Sequence, residues 1–122
     1  MKARCFQDLE MWQLSHAWVL KIYKVTESFP RHEMFGLTSQ LRRAAVSVPA
    51  NIAEGFRKRS AAEKGRFYNI SQGSLEECRY YLILANDLGY ASTSELQNEL
   101  DRIGRIIDSY VRAVTAGRPA DS

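Results

Sequence analysis

Apolar residues recur at helical spacing along most of the chain, and no segment shows the sustained alternation that is typical of a β-strand. Four such stretches predict helices at about residues 9–28, 38–58, 61–88 and 93–116. Because the connections between them are short, consecutive helices are expected to run antiparallel. The pattern therefore predicts an all-α protein, an up-down-up-down antiparallel four-helix bundle that forms a single domain over residues 1–122.

The apolar positions also predict a buried face for each of the last three helices. In the second helix this face holds Leu37, Leu41, Ala44, Ala45, Val48, Ile52 and Phe56. In the third it holds Phe67, Ser74, Cys78, Tyr81, Ala85 and Leu88. In the fourth it has heptad-like spacing, with Leu96, Leu100, Ile103, Ile107, Tyr110 and Val114. Several residues on the third face are small, so a neighbouring helix is expected to approach closely there. The third helix is expected to stop at Gly89.

Residues near the predicted helix starts match capping patterns. Asp8 is the expected N-cap of the first helix. Ser60 with Glu63, and Ser92 with Glu95, have capping-box spacing, in which a hydroxyl accepts a backbone N–H three residues further on. These pairs predict the starts of the third and fourth helices.

The stretch SVPANIAEG, residues 47–55, is unusual for the middle of a bundle helix. Pro49 has no N–H and would clash with the carbonyl of Ala45, so a kink is expected. The alternative is a true break, with Pro49 as the first residue of a new helix. The apolar stripe keeps its phase on both sides of Pro49, which favours a kinked but continuous helix.

Three further residues of this stretch need an explanation. Gly55 inside a helix costs about 1 kcal/mol relative to Ala, which a close approach of another backbone would offset. Asn51 and Glu54 lie three residues apart and share a face. If this face is buried, both side chains need hydrogen-bond partners; otherwise they are an exposed polar pair. The favoured interpretation is a packing seam, with Asn51 and Glu54 in a buried or interfacial polar network.

The net charge is only +3, but it is unevenly distributed. Residues 31–66 hold eight basic and three acidic residues, a formal charge of +5, whereas residues 75–108 carry a formal charge of −4. The candidate nucleic-acid-binding residues are Arg42, Arg43, Arg57, Lys58, Arg59, Lys64 and Arg66. Such a basic surface predicts sequence-independent, salt-sensitive contact with phosphates. The alternative is a solvated basic turn, since cations suit a helix C-terminus. The two charged segments could also join copies of the chain.

The residues needed for metal or nucleophilic chemistry are not evident. Di-iron bundles use Glu-x-x-His pairs, but neither His16 nor His32 follows a Glu by three. No nucleophile–base set and no glycine-rich phosphate loop is recognisable, so no metal, cofactor or catalytic activity is expected. Cys5 and Cys78 do not form a disulfide framework. No apolar run approaches the roughly 20 residues of a membrane span, and no signal peptide is recognisable, so a cytoplasmic protein is expected.

The run GLTSQLRRAAVSVPANIAEGFRKRS, residues 36–60, resembles the signature of the proteins encoded within 23S rRNA intervening sequences. The later segments GSLEE (73–77) and ILANDLGY (83–90) resemble the second motif of that family. The resemblance covers about residues 6–116. Ser71 and Cys78 depart from the expected Ala and Leu, which are conservative changes within a core.

The resemblance implies an up-down-up-down bundle that assembles into a homopentameric ring and has no attached catalytic activity. A related branch comprises the accessory variability proteins of diversity-generating retroelements, which are basic pentamers that bind nucleic acid and a reverse transcriptase. Carried over to this chain, the motif marks its polar and special positions as Gln40, Arg42, Arg43, Asn51, Glu54, Gly55 and Arg57.

The sequence thus predicts a non-enzymatic, self-assembling bundle that binds RNA or DNA weakly through its basic residues. In the main alternative, the protein is an interaction or scaffold module, and its basic residues serve the subunit interface instead. A hydrolase or nuclease would require acidic residues that converge with Glu54 in space.

Overall fold

The computed structural model describes residues 2–117 and is built from four α-helices. They are α1 (Glu10–Thr26), α2 (Leu37–Phe56), α3 (Ala61–Asp87) and α4 (Ser94–Thr115), with 3₁₀ turns at Phe6–Asp8 and Arg31–Glu33. No strand occurs in this part of the chain. The packing of α2 against α3 is the most extensive, followed by α3 against α4 and α1 against α2. The predicted all-α, up-down-up-down bundle is therefore confirmed.

One continuous core joins the four helices. The predicted stripe of α2 is buried from Leu37 to Ile52, and only Phe56 lies at the edge. On α4 the predicted face is also correct, with Leu100, Ile103 and Ile107 inside. The α1–α4 contact is fixed by the indole of Trp18, which donates to the Leu96 carbonyl at 3.1 Å.

The face predicted for α3 is only partly correct. Phe67, Cys78 and Ala85 are buried, but Leu88 is half exposed, and Ser74 and Tyr81 lie at the edge of the core. The interior positions that the pattern missed are Tyr68, Leu75 and Leu82, whereas Ser71 is buried, as the resemblance implies. Tyr68, Leu75 and Leu82 repeat every seven residues, each one position after the predicted Phe67, Ser74 and Tyr81, so much of the predicted stripe lies one residue out of phase.

Two of the predicted N-terminal caps are wrong. Leu9, not Asp8, is the N-cap of α1, and the Asp8 carboxylate accepts the Arg4 backbone N–H at 2.9 Å. At α4 the N-cap is Thr93, one residue after Ser92. Its buried hydroxyl donates to the Leu82 carbonyl at 2.7 Å, so it anchors the loop to α3 rather than capping α4.

The predicted ends of α3 are confirmed. Ser60 accepts the Glu63 backbone N–H at 3.1 Å, as a capping serine does. At the other end Gly89 has a φ of +78°, a left-handed conformation that favours glycine. Gly89 N–H bonds to the Asn86 carbonyl, and Tyr90 N–H bonds to the Ala85 carbonyl. Together these bonds form a Schellman motif.

Candidate nucleic-acid interface

Gly55 lies in the contact between α2 and α3, which we call the α2–α3 seam. A Cβ atom at this position would lie 2.8 Å from Cε1 of Tyr68 and 2.9 Å from Cβ of Phe67. Real Cβ atoms do not approach other carbons so closely, so glycine is what lets the two helices meet here. Higher in the seam, the buried Ser71 hydroxyl donates to the Val48 carbonyl at 2.8 Å. The predicted packing role of Gly55 thus has a geometric basis.

Asn51 belongs to a polar network in the same seam, whereas Glu54 does not. The Asn51 amide donates to the carbonyl and to the hydroxyl oxygen of Ser47, both at 2.9 Å. The Ser47 and Ser74 hydroxyls are 2.8 Å apart, which links α2 to α3. The Glu54 side chain is exposed and bonds to none of the described residues. Within one copy, the described residues therefore form no polar network that includes both Asn51 and Glu54.

Two further residues of residues 36–60, Pro49 and Gln40, differ in burial. Pro49 is buried inside α2, and the helix continues through it, so the prediction of a continuous helix is correct and that of a break is wrong. Gln40 is exposed, and its side chain bonds to none of the residues that the structure describes.

The basic residues form two groups rather than one surface. Arg42 and Arg43 are near the start of α2, and Arg57–Arg66 surround the turn between α2 and α3. About fifteen residues of helix separate the groups, which corresponds to roughly 20 Å along the axis. A single phosphate-binding patch of a few residues cannot include both.

Arg42 is committed to contacts between helices. Its Nε donates to the Thr26 hydroxyl at 2.8 Å, and a second guanidinium nitrogen donates to the Tyr23 carbonyl at 3.3 Å. Its guanidinium carbon also lies 4.6 Å from the centroid of the Tyr23 ring. These bonds satisfy groups at the C-terminal end of α1 and leave Arg42 poorly placed for a phosphate. Its neighbour Arg43 is exposed.

Lys64 is similarly engaged at the C-terminus of α2. Its ammonium donates to the Phe56 carbonyl at 2.7 Å and lies 3.5 Å from the Gly55 carbonyl. Such a contact caps the end of a helix. Partial burial is the main cause that lowers the pKa of Lys64, and the nearby positive charge of Lys2 adds to the effect. Lys2 is thus a basic residue close to the turn that sequence spacing could not identify.

The other cations at the turn are presented outward. Lys58 and Arg66 lie 4.9 and 4.6 Å from the centroid of the Phe67 ring. Arg66 also pairs with Glu63 at 3.3 Å, whereas no ion pair joins Arg57 or Arg59 to another described residue. Lys2, Arg57, Lys58, Arg59 and Arg66 form a surface that we call the basic end.

Arginines pair with three of the seven carboxylates in residues 75–108, a segment whose formal charge is −4. Arg79 donates to Asp101 at 2.6 Å and to Glu76 at 3.1 Å, and these carboxylates raise its pKa. The three residues line an open groove of about 510 Å³ between α3 and α4. Asp108 pairs with Arg112 at 2.7 Å. The paired charges give this groove less electrostatic pull on a ligand than the basic end has.

Residues 2–117 give little support for a metal site, a reactive cysteine or a membrane span. No group of three or more His, Cys, Asp and Glu side chains could hold a metal ion there. Cys78 is fully buried, and this burial raises the pKa of its thiol to about 12, so it behaves as a small hydrophobic residue. None of the described helices is long and apolar enough to cross a membrane.

Fold and surface together define a small helical bundle with a close-packed α2–α3 seam and one basic end. The family model described as 23S rRNA-intervening sequence protein matches residues 7–109, and the chain belongs to this family. The resemblance carried by residues 36–60 and 73–90 is therefore confirmed.

A solved structure has a similar fold. It is that of a protein with unknown function from the S23 ribosomal protein family from Bacteroides thetaiotaomicron. The two chains have a TM-score of 0.75 and 21% sequence identity, over 84% of this chain and 95% of the other. At this identity the likeness shows the fold alone. No curated protein matched the chain. Neither matching description names a catalytic activity.

Proposed function

We propose that this protein is a non-enzymatic, self-assembling helical bundle that binds RNA or DNA weakly and without sequence preference through its basic end. The observation that carries this proposal is the group Arg57, Lys58 and Arg59, whose charges no carboxylate of the described residues neutralises. Cations presented in this way attract phosphates irrespective of the base sequence. The assembly is proposed to be a homopentamer on the basis of the family resemblance. A cytoplasmic location is proposed because no signal peptide is recognisable in the sequence.

Local structure supports phosphate binding at this end. The ring of Phe67 holds Lys58 and Arg66 close to the surface, which reduces the conformational entropy that either loses on binding. The N-terminus of α3 lies at the same turn, and the helix dipole there favours an anion. The basic end therefore offers both charge and hydrogen-bond donors.

Filter binding to mixed-sequence RNA and DNA across a salt series tests the proposal. The variant Arg57→Glu with Arg59→Glu should lose at least about tenfold in affinity at low salt, and its slope against log salt should fall by about 1.4 to 1.8. The matched control is Arg102→Glu with Arg105→Glu, an equal change of charge at two exposed arginines of α4. It should lose much less. No salt-dependent binding by the wild-type protein would overturn the proposal.

The scaffold alternative makes a different prediction for the same variant. If the basic end forms the subunit interface, then Arg57→Glu with Arg59→Glu should dissociate the oligomer. Light scattering on the wild type, the variant and the α4 control measures this directly. Dissociation of the oligomer, rather than loss of nucleic-acid binding, would favour the alternative.

A further inference from the structure

A second surface feature is an apolar groove of about 580 Å³ between α1, α2 and the connection that precedes α2. Phe35, Met34, Tyr23 and Val46 line it, and Phe35 is 92% exposed. Isolated exposed apolar residues are common, but four of them in one groove mark an interaction surface. This groove lies away from the basic end, so nucleic-acid binding does not account for it.

The turn that carries Phe35 is anchored on both sides. One Glu33 carboxylate oxygen accepts the Leu37 backbone N–H at 3.0 Å, and the other accepts the Tyr90 hydroxyl at 2.7 Å. At Gly36, a Cβ atom would lie only 2.7 Å from the first of these oxygens. The turn is therefore held in place with Phe35 pointing into solvent. A surface presented by an anchored turn loses little conformational entropy when a partner covers it.

The rim of the groove carries one available positive charge. Arg42 and Arg43 both line it, but Arg42 is engaged by Thr26 and Tyr23. The exposed Arg43 forms no ion pair with any residue between 2 and 117. A complementary partner should therefore present apolar side chains next to a carboxylate.

The outer face of α3 has these properties. Tyr80, Ile83 and Asp87 follow one another at helical spacing on one side of α3, and all three are exposed. The Asp87 carboxylate bonds to no described residue. It also lies in the last turn of α3, where the helix dipole disfavours a negative charge. A cation supplied by another molecule would offset this unfavourable placement.

We infer that the groove docks the outer face of α3 from a second copy of the chain. Phe35 packs against Tyr80 and Ile83 of the other copy, and Arg43 pairs with its Asp87. The two faces lie in the segments of opposite charge, residues 31–66 and 75–108, which steers the copies into this orientation. Because the contact joins two different faces, each copy keeps one of each for further neighbours, which builds a ring or a filament. This inference rests on the self-assembly part of the proposed function.

Molar mass by size-exclusion chromatography with light scattering tests the docking surface. Phe35→Asp should shift the oligomer to monomer over the concentration range in which the wild type stays assembled. The matched control is Leu20→Asp, which adds the same charge at an exposed apolar residue of α1 that does not line the groove. It should leave the oligomer intact. Both residues are exposed, so circular dichroism should show an unchanged fold.

The charge pair provides an independent test. Arg43→Asp and Asp87→Arg should each weaken assembly by about tenfold or more, and the double variant should recover most of the loss. An assembled wild type whose mass is unaffected by Phe35→Asp and by both charge reversals would overturn the docking surface while leaving self-assembly standing. A monomeric wild type would instead overturn the self-assembly part of the proposed function, and the docking surface with it.

Discussion

The α-carbon of Gly55 faces the ring of Tyr68 so closely that a Cβ atom there would lie 2.8 Å from Cε1 of the tyrosine. This contact joins the last turn of α2 to the first turns of α3. It explains why a glycine is placed inside a helix, where it lowers intrinsic helix stability by about 1 kcal/mol. Tyr68 is fully buried, so its ring cannot move aside without disturbing the core.

Gly55→Ala should destabilise the protein although alanine is the better helix former. We expect the free energy of unfolding to fall by about 1–3 kcal/mol, because overpacking against Tyr68 and Phe67 outweighs the gain in propensity. Urea denaturation measures the change. The control is Gly73→Ala in α3, where a Cβ atom would meet nothing within 4 Å. This variant should gain up to about 1 kcal/mol. Equal stabilisation by both alanines would contradict the assignment of Gly55 to the seam.

Asn51→Ala should destabilise the bundle, whereas Glu54→Ala should not. Asn51 makes two hydrogen bonds to Ser47, which in turn contacts Ser74 on α3. We expect a loss of about 1 kcal/mol for Asn51→Ala and a change within about 0.5 kcal/mol for the exposed Glu54. Thermal unfolding at a protein concentration that gives one oligomeric state compares them. A large loss for Glu54→Ala would indicate that Glu54 is buried between subunits, the interfacial alternative that the sequence left open.

The fold was predictable from the sequence because buried positions recur at the helical period. This holds for α2 and α4, whose predicted stripes are correct. On α3 the predicted stripe was only partly correct, and at the starts of α1 and α4 the capping patterns were wrong. A capping pattern describes only local bonds, whereas Thr93 is held by the carbonyl of Leu82 on the preceding helix. Such a contact exists only once the bundle has formed.

The candidate site was less predictable, since sequence counts charges without showing which of them are engaged. Arg42 and Lys64 look equivalent to Arg57 and Arg59 in composition, yet both donate to carbonyls at helix ends. Lys2 lies 62 positions before Lys64 in the sequence, but the fold brings it close enough to affect the pKa of Lys64.

Arg42→Ala should lower stability much more than Arg43→Ala. The guanidinium of Arg42 bonds to Thr26 and Tyr23 and lies over the Tyr23 ring. Its loss should reduce the free energy of unfolding by about 1–2 kcal/mol. At a protein concentration at which the chain is monomeric, Arg43→Ala should change it by less than about 0.5 kcal/mol, because that side chain is exposed within one chain. Both variants lose one positive charge. Comparing them by chemical denaturation therefore distinguishes the effect of losing the Arg42 contacts from the effect of losing a charge. Similar losses would show that Arg42 does not join α1 to α2.

The bundle should lose stability in acid partly through Glu33. The Leu37 backbone N–H, and then the Tyr90 hydroxyl, hold the pKa of Glu33 below its ordinary value of 4.5. Because the pKa of Glu33 is lower in the folded state, the stabilisation that its carboxylate provides is fully present above the ordinary pKa. This stabilisation is lost as the pH falls through the folded-state pKa. Unfolding of Glu33→Gln should therefore depend less steeply on pH in this range than that of the wild type. Glu95→Gln makes the same change of charge at an exposed position of α4 and serves as the control for the charge itself.

Substitutions at Lys64 and at Arg59 should have different effects, the first on stability and the second on phosphate binding. The ammonium of Lys64 donates to the Phe56 carbonyl at 2.7 Å, so Lys64→Met should lower the free energy of unfolding by about 0.5–1.5 kcal/mol. It should change the salt slope of RNA binding little, because this charge already faces the end of α2. Arg59→Gln should do the reverse, with unchanged stability and a slope reduced by about 0.7 to 0.9. Filter binding and urea denaturation on both variants test this division. If Lys64→Met reduced the salt slope as much as Arg59→Gln, then Lys64 would leave its cap to contact phosphate, and the boundary drawn here for the basic end would be wrong.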